Sequence, residues 1–126
     1  MSVRHQVRAY VERLFEALRE GAKAGEFTLY CVYSPVYVQR EALPANQIKV
    51  EEFEFINLKV DMGDQESVKK FLDRVVREAL EMEVKGFYLL CMVLDKGDGY
   101  IFSSEDPMVE ELRSEIEETI ERLREE

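Results

Sequence analysis

One histidine, two cysteines and six tyrosines are, beside the carboxylates, the residues of this 126-residue chain best suited to chemistry. His5 falls on the polar side of the first helical segment. A catalytic histidine needs a partner that fixes its ring. Nothing near His5 supplies one, so it reads as a solvated side chain. Cys31 and Cys91 each sit inside an apolar, strand-like run. A nucleophilic thiol needs an electropositive setting, and these settings are apolar. Both read as buried, reduced thiols that pack as small hydrophobes. Two such distant cysteines lack the close ligand spacing of a zinc site.

Two acid–glycine stretches, Asp61 to Glu66 and Asp95 to Asp98, could offer oxygen ligands to a divalent cation. Neither has the twelve-residue calcium-loop pattern, and turn and cap chemistry accounts for each acid. There is no glycine-rich phosphate loop. Ser103 and Ser104 precede an acidic helix without a nucleophile elbow. The sequence therefore assigns no catalytic residue, no metal ligand and no cofactor.

Tyrosine and glutamate remain. Tyr30, Tyr33, Tyr37 and Tyr88 fall in strand-like segments, where a ring offers contact area and a hydroxyl offers a polar handle. Glu110, Glu111, Glu115, Glu118, Glu121 and Glu125 recur along the last helical segment. These ten residues form the candidate interaction surface.

Helical spacing runs through residues 3–22, with Val3, Val7, Tyr10, Val11, Leu14, Phe15, Leu18 and Ala22 on one face. Residues 27–33 alternate as a strand. Ser34 and Pro35 interrupt it, because proline cannot donate to a ladder. Val36 to Gln39 resumes the pattern, giving two short strands or one bent edge strand. Residues 41–47 read as a loop. Residues 48–61 read as a long strand whose apolar parity switches between Phe55 and Ile56, through a bulge or two covered faces.

Asp64 is placed to cap a helix carrying Val68, Phe71, Leu72, Val75, Val76, Ala79 and Leu80. On it, Asp73 and Arg77 form an acid-first pair four apart. Phe87 to Leu94 is apolar at every position. A sheet wet on one face would alternate, so this strand has both faces covered, by helices, a long loop or a second subunit. Asp98–Gly99 signals a hairpin into Tyr100–Phe102. Asp106 and Pro107 open a last helix with a narrow stripe of Val109, Leu112, Ile116, Ile120 and Leu123. The order α-β-β-β-α-β-β-α predicts one α+β domain over residues 1–126. Its mostly antiparallel sheet of about five strands carries packed helices.

The net charge is −10. Residues 1–25 carry five basic and three acidic side chains, whereas residues 105–126 carry ten acids against three arginines. Without a positive footprint, direct nucleic-acid binding is disfavoured, and an anionic membrane would repel the acidic end. No apolar run reaches membrane-helix length, and the start has no secretory core. The expected compartment is the cytoplasm. Charged residues are 35% of the chain, a balance common in proteins from hot environments.

The element order and acidity look like those of the type III secretion chaperone fold and its relatives. That resemblance implies binding of a partner polypeptide along the sheet or helices. The reading is a non-catalytic protein-interaction module, homodimeric, with a basic protein as the charge-compatible partner. One alternative is a nucleic-acid mimic that captures a basic protein through the acidic helix. Another is a small-molecule sensor or unfamiliar enzyme with a pocket among Tyr30, Tyr33, Tyr37 and the loop.

Overall fold

The computed structural model describes residues 2–36 and 48–126. Its elements are α1 (Val3–Gly21), β1 (Glu26–Pro35), β2 (Glu54–Asp61), α2 (Gln65–Val84), β3 (Phe87–Asp95), β4 (Tyr100–Ser103) and α3 (Met108–Glu125). One 3-10 turn, Val50–Glu52, precedes β2. The strands form a single sheet in the order β2-β1-β3-β4, with antiparallel neighbours throughout.

Four strands form among the described residues, against about five expected. The strand expected over residues 36–39 accounts for the difference. Ser34 and Pro35 do not split β1, because Pro35 is its last residue, opposite Phe87 at the rim of the sheet. A missing donor costs little there. The strand is also central, between β2 and β3, and not an edge. Of Val36–Gln39, Val36 donates its N–H to Gly86 O (3.0 Å); the others lie outside the described residues, as does the loop 41–47. The long strand expected over 48–61 begins only at Glu54. Before it, Ile48, Val50 and Phe53 turn inward and are buried.

Two cores flank the sheet. Under α1 and α2 lie Leu14, Phe15, Leu18, Leu29, Cys31, Tyr33, Leu58, Val60, Phe71, Val75, Leu89, Met92 and Leu94. Phe15 and Phe71 join the two helices, with ring centroids 5.4 Å apart. Under α3 lie Tyr30, Val32, Leu90, Cys91, Val93, Val109, Leu112, Ile116 and Ile120, with Ile48, Val50 and Phe53. This explains β3. The chain's own helices cover both faces, so no second subunit is needed to keep water off it. It also explains the parity switch in β2. The β1–β2 register runs unbroken from Glu26↔Asp61 to Tyr33↔Glu54, so no bulge is involved. Phe55 packs toward α3, and Ile56 and Leu58 pack toward α1 and α2.

The caps follow local chemistry. Asp64 accepts from Glu66 N–H (3.0 Å) at the start of α2. Asp106 accepts from Met108 N–H (2.9 Å), and Pro107 already has helical dihedrals, φ −61° and ψ −20°. Gly86 (φ 93°) turns the chain from α2 into β3, a conformation glycine adopts without strain. The Asp73–Arg77 pair does not form as expected. Arg8 of α1 takes Asp73 instead, at 2.7 Å, and so ties α1 to α2. Among the described residues, no helix is long and apolar enough to cross a membrane.

Candidate functional site

The sheet is incomplete at one place. β1 pairs with β3 from Phe87 to Asp95, but β4 pairs only with Met92 to Asp95. Residues 87–91 of β3 thus present an edge with no strand beside it among the described residues. The same stretch is bulged. Cys91 faces Val32 and Leu89 faces Tyr33, leaving Leu90 as the extra residue. Leu90 and Cys91 therefore enter the same core. A bulge re-aims side chains and interrupts the ladder, and such irregularities concentrate beside binding sites.

Side chains satisfy the backbone that the missing strand leaves open. Tyr10 Oη donates to Leu89 O (2.9 Å), and Ser104 Oγ donates to Leu90 O (2.8 Å). Ser104 Oγ also accepts from Asp106 N–H (3.0 Å), which fixes the loop entering α3. Unsatisfied, each buried carbonyl would cost about 1–3 kcal/mol.

Around this edge lies a notch of about 440 Å³. Helix α1 supplies Gln6, Val7 and Tyr10, and α2 supplies Ala79 and Glu83. Tyr88 and Leu89 form the back, and Glu105, Asp106 and Pro107 the opposite lip. A smaller hollow of about 290 Å³ adjoins it, walled by Phe102, Val109 and Glu110, and shares Glu105, Asp106 and Pro107. Arg13 pairs with Glu105 at 2.6 Å and lies over the Tyr10 ring at 5.7 Å.

Two buried hydroxyls at this end lack a hydrogen bond among the described residues, Tyr88 Oη and Ser34 Oγ. Tyr88 and Ser34 oppose each other in the β1–β3 register. Asp106 also acts on the Tyr88 hydroxyl, but neither neighbour reaches bonding geometry. Desolvation first, and then the negative charge of Asp106, push the Tyr88 phenol up to about 12. Burial likewise raises Tyr10 well above the ordinary phenol range.

The candidates from the sequence are dispersed by this arrangement. Tyr30 is buried under α3 and Tyr33 under α1 and α2, on opposite faces of β1, so neither presents an interaction surface. Tyr37 lies outside the described residues. Of the three described tyrosines among these candidates, Tyr88 reaches the notch. Glu110, Glu111, Glu115, Glu118, Glu121 and Glu125 are all exposed on α3. Arg113 stands between Glu110 (4.0 Å) and Glu117 (3.7 Å), which relieves part of their mutual repulsion. Only Glu110 belongs to the hollows.

Other candidates take structural roles. Ser2 caps α1, and its Oγ lies 3.3 Å from Nδ1 of the exposed His5. Asp61 accepts from Gly63 N–H, and Asp95 from Gly97 N–H, each at 2.9 Å. Arg124 grips Asp95 through two contacts of 2.8 Å. Among the described residues, no group of three histidine, cysteine or acidic side chains could hold a metal ion. Burial pushes the Cys31 thiol up to about 12 and Cys91 higher still, so both rest protonated. Sequence reasoning missed Tyr10, Gln6, Glu83 and Glu105. Tyr10 sat inside the helical apolar stripe, and nothing local marked its hydroxyl as reaching a strand 79 residues away.

No family model matches this chain, and no solved structure matches it. An uncharacterised protein of Aquifex aeolicus (strain VF5) is 33% identical over 129 aligned positions, spanning 100% of this chain and 99% of that protein. The chain belongs to the family of that protein. The likeness extends over the whole domain and brings no activity with it.

Proposed function

We propose that this domain is a non-catalytic protein-interaction module that seats a short segment of a partner polypeptide in the notch beside β3. The observation that carries this reading is the coincidence of three features at one place: the unpaired stretch of β3, the apolar hollow of about 440 Å³, and the buried Tyr88 hydroxyl without a partner among the described residues. Sites of roughly 300–1,000 Å³ that combine apolar walls with a few polar groups are typical of ligand recognition. Thiols held protonated argue against cysteine nucleophilic chemistry.

The exposed carboxylates of α3 favour a second reading, in which a basic protein is captured by charge alone. Selection of displayed random peptides on the immobilised domain separates the two. Gln6 is exposed on the notch rim, so Gln6→Trp obstructs the notch without entering the core. Enriched peptides are expected to lose binding to Gln6→Trp. Peptides that bind both proteins equally, and dissociate in high salt, would replace the notch with the acidic helix as the site.

Self-association, expected from the sequence, has little apolar surface to use among the described residues. The large hydrophobics exposed there are Val3, Val36 and Val84.

A further inference from the structure

We infer that the partner segment is cationic, with a lysine or arginine flanked by two apolar anchors, one for each hollow. The inference rests on reading the notch as a protein-binding site. The hollows of about 440 and 290 Å³ share Glu105, Asp106 and Pro107, so this ridge divides one groove into two seats. The first seat is walled by Val7, Ala79 and Leu89, and the second by Phe102 and Val109. Alternate side chains of an extended segment share a face. A segment with an apolar residue, a cation and a second apolar residue at alternate positions would place the cation over the ridge.

Charge selects that cation. Four carboxylates stand along the groove: Glu83, Glu105, Asp106 and Glu110. Two arginines answer them in part. Arg13 pairs with Glu105 at 2.6 Å. Arg113 lies 4.0 Å from Glu110 and over the Phe102 ring at 4.7 Å. Glu83 and Asp106 have no ion pair among the described residues. The groove therefore stays negative, in a chain of net charge −10. Complementary charge at a rim raises the association rate and rejects like-charged partners.

The test uses the full ¹⁵N-labelled chain and three capped synthetic peptides. The first has the core leucine–serine–lysine–serine–leucine. The second replaces lysine by glutamate, and the third replaces both leucines by alanine. The first is expected to shift the amides of Leu89, Phe102 and Glu105 with a Kd below about 1 mM, and the other two to bind at least about tenfold more weakly. Glu83 is exposed, so Glu83→Lys should leave the fold intact and weaken the first peptide about tenfold. Equal binding of the glutamate peptide overturns the cationic assignment and leaves the notch as a binding site. Equal binding of the alanine peptide overturns the two anchors. Silence of these amides at about 5 mM of every peptide overturns both readings. Shifts that follow protein concentration without peptide reassign the groove to a second copy of the chain.

Discussion

The two ends of β3 are built in opposite ways. At the Asp95 end, β4 completes the ladder, the hairpin closes through Lys96 N–H to Gly99 O (2.9 Å), and Arg124 clamps Asp95. At the Phe87 end no strand follows among the described residues, and Tyr10 and Ser104 satisfy carbonyls one at a time. A strand partner satisfies backbone groups along its whole length and leaves no room. Individual side chains satisfy the same groups and leave a hollow between them. The site sits where that second solution is used.

Truncating a core side chain at each end should give the largest contrast. Leu94 is fully buried at the closed end, and Leu89 is buried beside the notch. Leu94→Ala is expected to cost about 4 kcal/mol and Leu89→Ala about half that, because a void that can take up solvent or relax is cheaper than a sealed one. Urea unfolding measures both, and equal losses would erase the distinction between the ends.

Removing the edge donors should have a smaller effect. Tyr10→Phe and Ser104→Ala are each expected to cost about 1–2 kcal/mol. Both should speed hydrogen exchange at the amides of residues 88–91, while those of 92–95 stay protected. Exchange that rises uniformly along β3 would mean that the two ends open as one unit.

Titration sharpens the contrast further. The Tyr88 phenol is raised to about 12 in the folded chain. The folded state therefore holds this proton more tightly than the unfolded state does. Its contribution to stability is intact below about pH 10 and declines as pH rises from there toward the folded value. Phenolate absorbance should show Tyr88 ionising late in the wild type and earlier in Asp106→Asn, which removes a negative charge that holds the phenol protonated.

At the closed end the sign reverses. Burial raises the Asp95 carboxyl, but the Arg124 hydrogen bonds, Gly97 N–H and the Arg124 charge outweigh it, so the net shift is downward. This contribution is complete above about pH 4 and is lost as pH falls through the depressed folded value. Arg124→Met should melt below the wild type at neutral pH, by the smallest margin of the set, and the two curves should converge in strong acid. A gap that persists in acid would assign the effect to packing on Tyr100 and not to the ion pair.

Much of the architecture was legible because single residues announce it. Asp64, Asp106 with Pro107, and Gly86 mark their element boundaries, and an unbroken apolar run at 87–94 is costly unless both faces are covered. The bulge was not legible for the same reason. In a run where every position is apolar, an inserted residue leaves no break in the alternation, so Leu90 is invisible as the extra one. In β2 a parity change was visible, but its cause was the covering of two faces, with the register intact. The notch was illegible because it joins α1, α2, β3 and the loop before α3 through contacts that no local pattern encodes. Among the described residues of the expected interaction surface, only Tyr88 lines it. Tyr30 and Tyr33 misled because a tyrosine serves a core as readily as a surface.

Cys31 and Cys91 lie on adjacent strands but enter different cores, one on each side of the sheet. A layer of hydrogen-bonded backbone stands between the two sulfur atoms. No oxidant can join them without first tearing that layer apart, so the native domain forms no disulfide between these two cysteines in an oxidising medium.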